Sequence, residues 1–133
     1  MPAKSPSGSA CPYYFMGGEL HPLKYGSCFS DMERLCGLIE AEQEFILRQP
    51  GSAGRRIWVD LFETRLNGAA IGALARHVQA IEPKICRLCF VGCSRVSRWR
   101  LSRRLRKLGL GIAGSVRFFS DPEKAKKWLV GEG

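Results

Sequence analysis

The chain has no run approaching the roughly 18 to 20 uncharged apolar residues that cross a bilayer, and its first ten residues lack the apolar core of a secretory signal. A soluble, cytoplasmic protein is the expectation. Histidine is scarce, two in 133 residues; neither His21 nor His77 has a carboxylate at a spacing suggestive of acid–base chemistry, and His77, beside Arg76, reads as lying on the exposed side of a helix. No Ser elbow or paired-acid motif occurs. Both phosphate-cradling patterns, GxxxxGK[ST] and a GxGxxG that follows a strand, are missing. Gly109-Leu110-Gly111-Ile112-Ala113-Gly114 matches the second in letters, but it precedes a strand. The sequence offers thin support for catalysis and leads to no expected cofactor or metal.

The six cysteines (Cys11, Cys28, Cys36, Cys86, Cys89 and Cys93) are too sparse, and too deeply set in apolar runs, for a disulfide scaffold. Buried free thiols are the simpler expectation. Cys86-x2-Cys89-x3-Cys93 resembles metal-ligand spacing, yet the segment Ile85-Cys86-Arg87-Leu88-Cys89-Phe90-Val91 reads as a strand. Alternation would then send Cys86 and Cys89 to opposite faces, and Cys89 and Cys93 would stand about 13 Å apart. No shared ion fits that geometry.

Apolar spacing supplies a regular alternation of elements. Residues 1–11, rich in Ser, Pro and Gly, read as a flexible tail, and 12–133 as one domain. Tyr13 to Phe29, broken by Gly17-Gly18 and Pro22, suggests a hairpin-like or edge-strand entrance. Ser30-Asp31-Met32-Glu33 has the form of a capping box with Ser30 as N-cap, opening a helix over 31–48. The breaker run 49–54 makes a turn. Arg55 to Leu61 is a strand apolar on nearly both faces, as an inner strand covered by helices requires. A helix follows over 67–80, with small residues at Gly68, Ala69, Gly72, Ala73 and Ala75. The pattern then gives a strand over 84–91, a helix over 94–108 with Ser94 as N-cap, a strand over 115–119, and a helix begun by Ser120-Asp121-Pro122-Glu123. Strands alternating with helices imply an α/β fold with a mostly parallel four- to five-stranded sheet, covering helices and right-handed crossovers.

Four stretches in this order resemble the STAS-like, or SpoIIAA-like, family of sulfate transporter and anti-sigma factor antagonist domains. They are Trp58-Val59-Asp60-Leu61, the helix opening Leu66-Asn67-Gly68-Ala69-Ala70-Ile71-Gly72-Ala73-Leu74, the strand Leu88-Cys89-Phe90-Val91-Gly92, and the ending from Val116-Arg117-Phe118-Phe119-Ser120-Asp121-Pro122-Glu123 to Trp128-Leu129. The resemblance covers about residues 20 to 131 and implies a non-enzymatic regulatory or protein-interaction module. In the antagonist branch, a serine at the start of the matching helix receives phosphate and switches partner binding. Here that stretch is Asn67-Gly68-Ala69-Ala70, without a hydroxyl, and Thr64 lies three residues too early. The resemblance therefore implies the fold without the family's phosphoswitch.

The formal charge is +9, from 21 Lys and Arg against 12 Asp and Glu. Seven of those cations (Arg95, Arg98, Arg100, Arg103, Arg104, Arg106 and Lys107) fall in residues 94–108 with no acid among them; the remainder is nearly balanced. Helical spacing puts Leu101, Leu105 and Leu108 on one stripe and Val96, Arg100, Arg103 and Lys107 opposite it, with Trp99 and Arg106 adjoining. A tryptophan among arginines on an outer face suits a protein partner, acidic or a second copy, ahead of nucleic acid or an anionic membrane. Arg95 completes this candidate surface. Asp60, at the end of an inner strand, and Cys93, beside a helix start where its thiol pKa would fall, are the candidate cleft residues. The small residues 68–75 leave room for a second possibility, a carrier of a small apolar or anionic ligand.

Overall fold

The computed structural model describes residues 3–49 and 54–131. Its main sheet holds β3 (Tyr13–Phe15), β4 (Gly18–Lys24), β5 (Arg55–Asp60), β6 (Ile85–Val91) and β7 (Arg117–Phe119) in that spatial order. β3 and β4 are antiparallel, and every later pair is parallel. The helices are α1 (Met32–Arg48), α2 (Gly68–Ile81), α3 (Arg95–Lys107) and α4 (Pro122–Val130). This is the α/β architecture with a mostly parallel sheet that the alternation implied.

Strand alternation explains the layering. In β5, Ile57 and Val59 face a core shared with α1, α2 and α3, whereas Trp58 faces α4. β6 does the same: Leu88 and Phe90 point to the three-helix side, and Cys89 and Val91 lie under Ala125 and Leu129 of α4. A strand with helices on both faces must be apolar at consecutive positions. Arg87 lies on the α4 side, stacked over Trp128 and donating to the carbonyls of Trp128, Leu129 and Gly131, so a cation closes the carbonyl end of α4.

Several expectations need correction. Met1 and Pro2 lie outside the described residues, but residues 3–11 are a seated hairpin, not a tail: β1 (Ala3–Lys4) pairs antiparallel with β2 (Ala10–Cys11). Ser5 and Ser9 are buried because both enter a hydrogen-bond network ending on Glu42 of α1. The expected hairpin-like entrance is present, with β3 and β4 antiparallel and β3 at the sheet edge, while Pro22 lies within β4, an inner strand. The strand tolerates it because β3 has already ended there, pairing only as far as Leu20, so the missing N–H interrupts no ladder. The Pro22 carbonyl accepts from Ser9 Oγ at 2.7 Å. Both capping boxes start one residue later than expected, with Asp31 accepting from Arg34 N–H and Asp121 from Glu123 and Lys124 N–H. The carboxylates of Asp31 and Asp121 reach the free N–H groups in place of the preceding serines. Residues 50–53 of the expected turn lie outside the described residues.

The carboxyl ends of β4, β5 and β6 are stitched by their following loops. Gly92, at φ +89°, closes β6 against the backbone of Phe62; a Cβ there would stand 2.6 Å from the Phe62 nitrogen. A Gly92→Ala substitution is expected to lower stability by about 2 kcal/mol, through left-handed strain and backbone displacement. Urea denaturation checks this, and a variant as stable as wild type would show that the Leu61–Phe62 loop yields freely.

Candidate docking face on α3

Ser94 caps α3 as expected, its Oγ accepting from Ser97 N–H at 3.1 Å. Leu101 and Leu105 are fully buried and Leu108 packs against the same core. Burial of that stripe fixes the helix rotation and turns the opposite side outward. Val96 is 65% exposed and Trp99 61%, with Arg95, Arg103, Arg106 and Lys107 exposed beside them and Arg100 half-buried toward α2. Among the described residues, none of the seven α3 cations has a carboxylate within 4.0 Å; the ion pairs lie elsewhere, at His21–Glu42, Arg48–Glu44 and Lys126–Glu123.

Trp99 stands between two open depressions. One, of about 190 Å³, lies toward α2 against Ile71 and is lined by Arg100, Arg103, Arg104 and Lys107. The other, of about 310 Å³, lies toward Phe118 and is lined by Arg95, Arg98 and Arg106. Arg103 sits 5.3 Å from the Trp99 ring centre, and Arg98 5.4 Å from that of Phe118, both within cation–π range.

The small residues of α2 serve helix–helix approach. Where a Cβ would stand on Gly68, Arg100 Nη2 is 3.3 Å away, and at Gly72 Arg104 Nη1 is equally close. Guanidinium groups of α3 thus border the space beside these two glycines. Asn67 Oδ1 accepts from Ala70 N–H and caps α2, while Gly68 and Ala69 are exposed in its first turn.

The cleft candidates do not converge. Asp60 caps its own turn, its Oδ1 accepting from Phe62 N–H at 3.0 Å. Cys93 is half-buried, and burial pushes its thiol up to about 12 despite the opposing pull of Arg98; the expected lowering is reversed because desolvation outweighs a nearby cation. His77, expected on the exposed side of α2, is buried, with Nε2 2.8 Å from Tyr25 Oη and Nδ1 3.1 Å from Gln43 Oε1. His21 is buried too and meets Glu42 through Nε2 at 3.1 Å. Of the six free thiols only Cys28 and Cys89 are buried; Cys86 is exposed and the others are half-buried. Cys86 is skipped in the β5–β6 pairing, which steps from Ile85 to Arg87.

One feature lay beyond reach of sequence periodicity. Ser27, Phe29 and Glu63 all hold positive φ (59°, 51° and 58°) in the loops after β4 and β5. Three interloop bonds impose this conformation, Ser27 N–H to Phe62 O, Phe29 N–H to Glu63 O and Arg65 N–H to Phe29 O. The outcome is a bulky residue, Phe29, strained and 62% exposed, with Phe62 also exposed, at the sheet end from which α3 departs. Strain of this kind concentrates at functional sites.

No helix among the described residues is long and apolar enough to cross a membrane. Comparison with family models, with curated proteins and with solved structures finds no match.

Proposed function

We propose that this protein is a non-enzymatic, STAS-like interaction module that receives an acidic segment of a partner protein on the outer face of α3. The observation that carries the reading is an exposed Trp99 set among seven cations that have no carboxylate within ion-pair distance among the described residues. A face so charged attracts an acidic surface and repels a second copy of itself. Exposed Phe29, Phe62 and Val96 at the same end add the apolar anchors that protein interfaces use. The mostly parallel sheet is compatible with the STAS resemblance, and the absence of a hydroxyl at residues 67–70 leaves such a module without its own phosphoswitch.

The test uses a fluorescent glutamate-rich peptide at low and moderate salt. Wild type is expected to bind it, and Arg100→Ser/Arg103→Ser/Lys107→Ser to lose most of that affinity while still folding, since Arg103 and Lys107 are exposed, Arg100 is only half-buried, and surface substitutions usually change stability within about 0.5 kcal/mol each. Trp99→Ala, which leaves the charge untouched, is expected to weaken binding about tenfold. Unchanged affinity in Trp99→Ala would reduce the face to nonspecific charge. Preferential binding of an oligothymidylate would turn the reading to single-stranded nucleic acid, and collapse of the triple variant would show that α3 packs by another side.

A further inference from the structure

We infer that the groove between α2 and α3 is a site for a phosphoryl group, which Arg76, Arg100 and Arg104 hold together. As to its source, a phosphorylated side chain on the acidic partner, the inference rests on the docking reading; the site itself rests on geometry. Gly72 is the point of convergence. Arg104 Nη1 from α3 and Arg76 Nη1 from α2 lie 3.3 and 3.4 Å from the place a Cβ would occupy there, which brings the two guanidinium groups within about 7 Å of each other, inside a Debye length. One turn earlier, Arg100 Nη2 lies 3.3 Å from the corresponding point on Gly68. Like charges gathered this closely, with no carboxylate within 4.0 Å among the described residues, favour the entry of an anion.

The chemistry favours phosphate over carboxylate. A phosphate monoester brings close to two negative charges and three strong acceptor oxygens, which suits three planar donors better than the single charge of Asp or Glu. Size favours one group over a strand: the depression that Arg100 and Arg104 line measures about 190 Å³, and Arg76, outside that lining, approaches Arg104 at Gly72. Trp99 and Lys107 on the rim then meet the residues flanking the phosphorylated one.

The experiment follows arginine side-chain N–H resonances of the full chain in three titrations. The probes are inorganic phosphate, an acidic peptide containing phosphoserine, and the same peptide with glutamate in that place. Inorganic phosphate is expected to give saturable shifts confined to Arg76, Arg100 and Arg104, and the phosphopeptide to bind about tenfold tighter than its glutamate counterpart. Arg76→Gln, an exposed change on α2, should erase that preference and leave the glutamate peptide bound as before; Arg106→Gln should keep the preference. Shifts spread evenly along α3, or equal affinity for the two peptides, would overturn the phosphoryl site and leave the docking reading standing. Saturation of the three arginines by inorganic phosphate with neither peptide bound would uphold the site and overturn the acidic partner.

Discussion

A Glu42→Ala variant is expected to lose about 3 to 5 kcal/mol of unfolding free energy, because it strands several buried hydrogen-bonding groups at about 1 to 3 kcal/mol each. Glu42 is wholly buried on α1 and holds the amino-terminal hairpin in place. Its Oε2 accepts from Ser5 Oγ at 2.7 Å, from Ser7 N–H at 2.9 Å and from Ser7 Oγ, while Oε1 meets His21 Nε2. Ser9 extends the network by hydrogen-bonding Ser5 and the Pro22 carbonyl. Removing the carboxylate would leave the hydroxyls of Ser5 and Ser7 and both ring nitrogens of His21 without these partners, since His21 Nδ1 is already buried and unbonded.

Burial pushes the Glu42 carboxyl up, but the hydrogen bonds from His21, Ser7 and Ser5 together outweigh it and hold the group below its ordinary 4.5. A folded pKa below the unfolded one means stability fully present above about pH 4.5 and lost as pH falls through the folded value. Denaturant titration measures the loss, and amide exchange at Ser7 and Gly8 reports whether residues 3–11 detach. A variant with wild-type stability and protection would show that the hairpin is anchored elsewhere.

Acidification from pH 6.5 to 4 is expected to remove about 3 kcal/mol of stability through His77. Burial lowers its pKa from 6.5 to about 4, against the weaker opposing effect of Glu42. A neutral ring matches its surroundings if Nδ1–H donates to Gln43 Oε1 and Nε2 accepts from the Tyr25 hydroxyl. In this window the unfolded chain takes up a proton at His77 that the folded protein refuses. Stability is therefore complete above pH 6.5 and declines as pH falls toward 4. Urea midpoints across this range should decline for wild type and stay flat for His77→Gln above pH 4.5, where Glu42 does not yet contribute. A flat wild-type profile would mean that His77 is solvated, contrary to its burial.

Legibility followed the range of the interactions involved. The helix over 95–107 was readable because its core stripe, Leu101, Leu105 and Leu108, repeats with the helical period, and the same period turned Trp99 outward. β5 and β6 were readable because both faces are apolar. His77 was misjudged because its neighbour Arg76 is exposed, while its own burial depends on Tyr25, 52 positions away, and Gln43, 34 away. The hairpin at residues 3–11 looked like a tail because Ser, Pro and Gly carry no apolar signal; its anchor is a single buried carboxylate 37 positions from Ser5.

By itself the sequence determined the alternating α/β plan, the outward side of α3 and its unbalanced charge, since all three follow from spacing within one element. Only the tertiary structure decided that Arg76 joins Arg100 and Arg104 over Gly72, that Phe29 is held strained and exposed, and that Glu42 and His77 are buried with distant partners. Those depend on contacts between separate elements, where backbone approach and desolvation set the outcome and local periodicity carries no record of either.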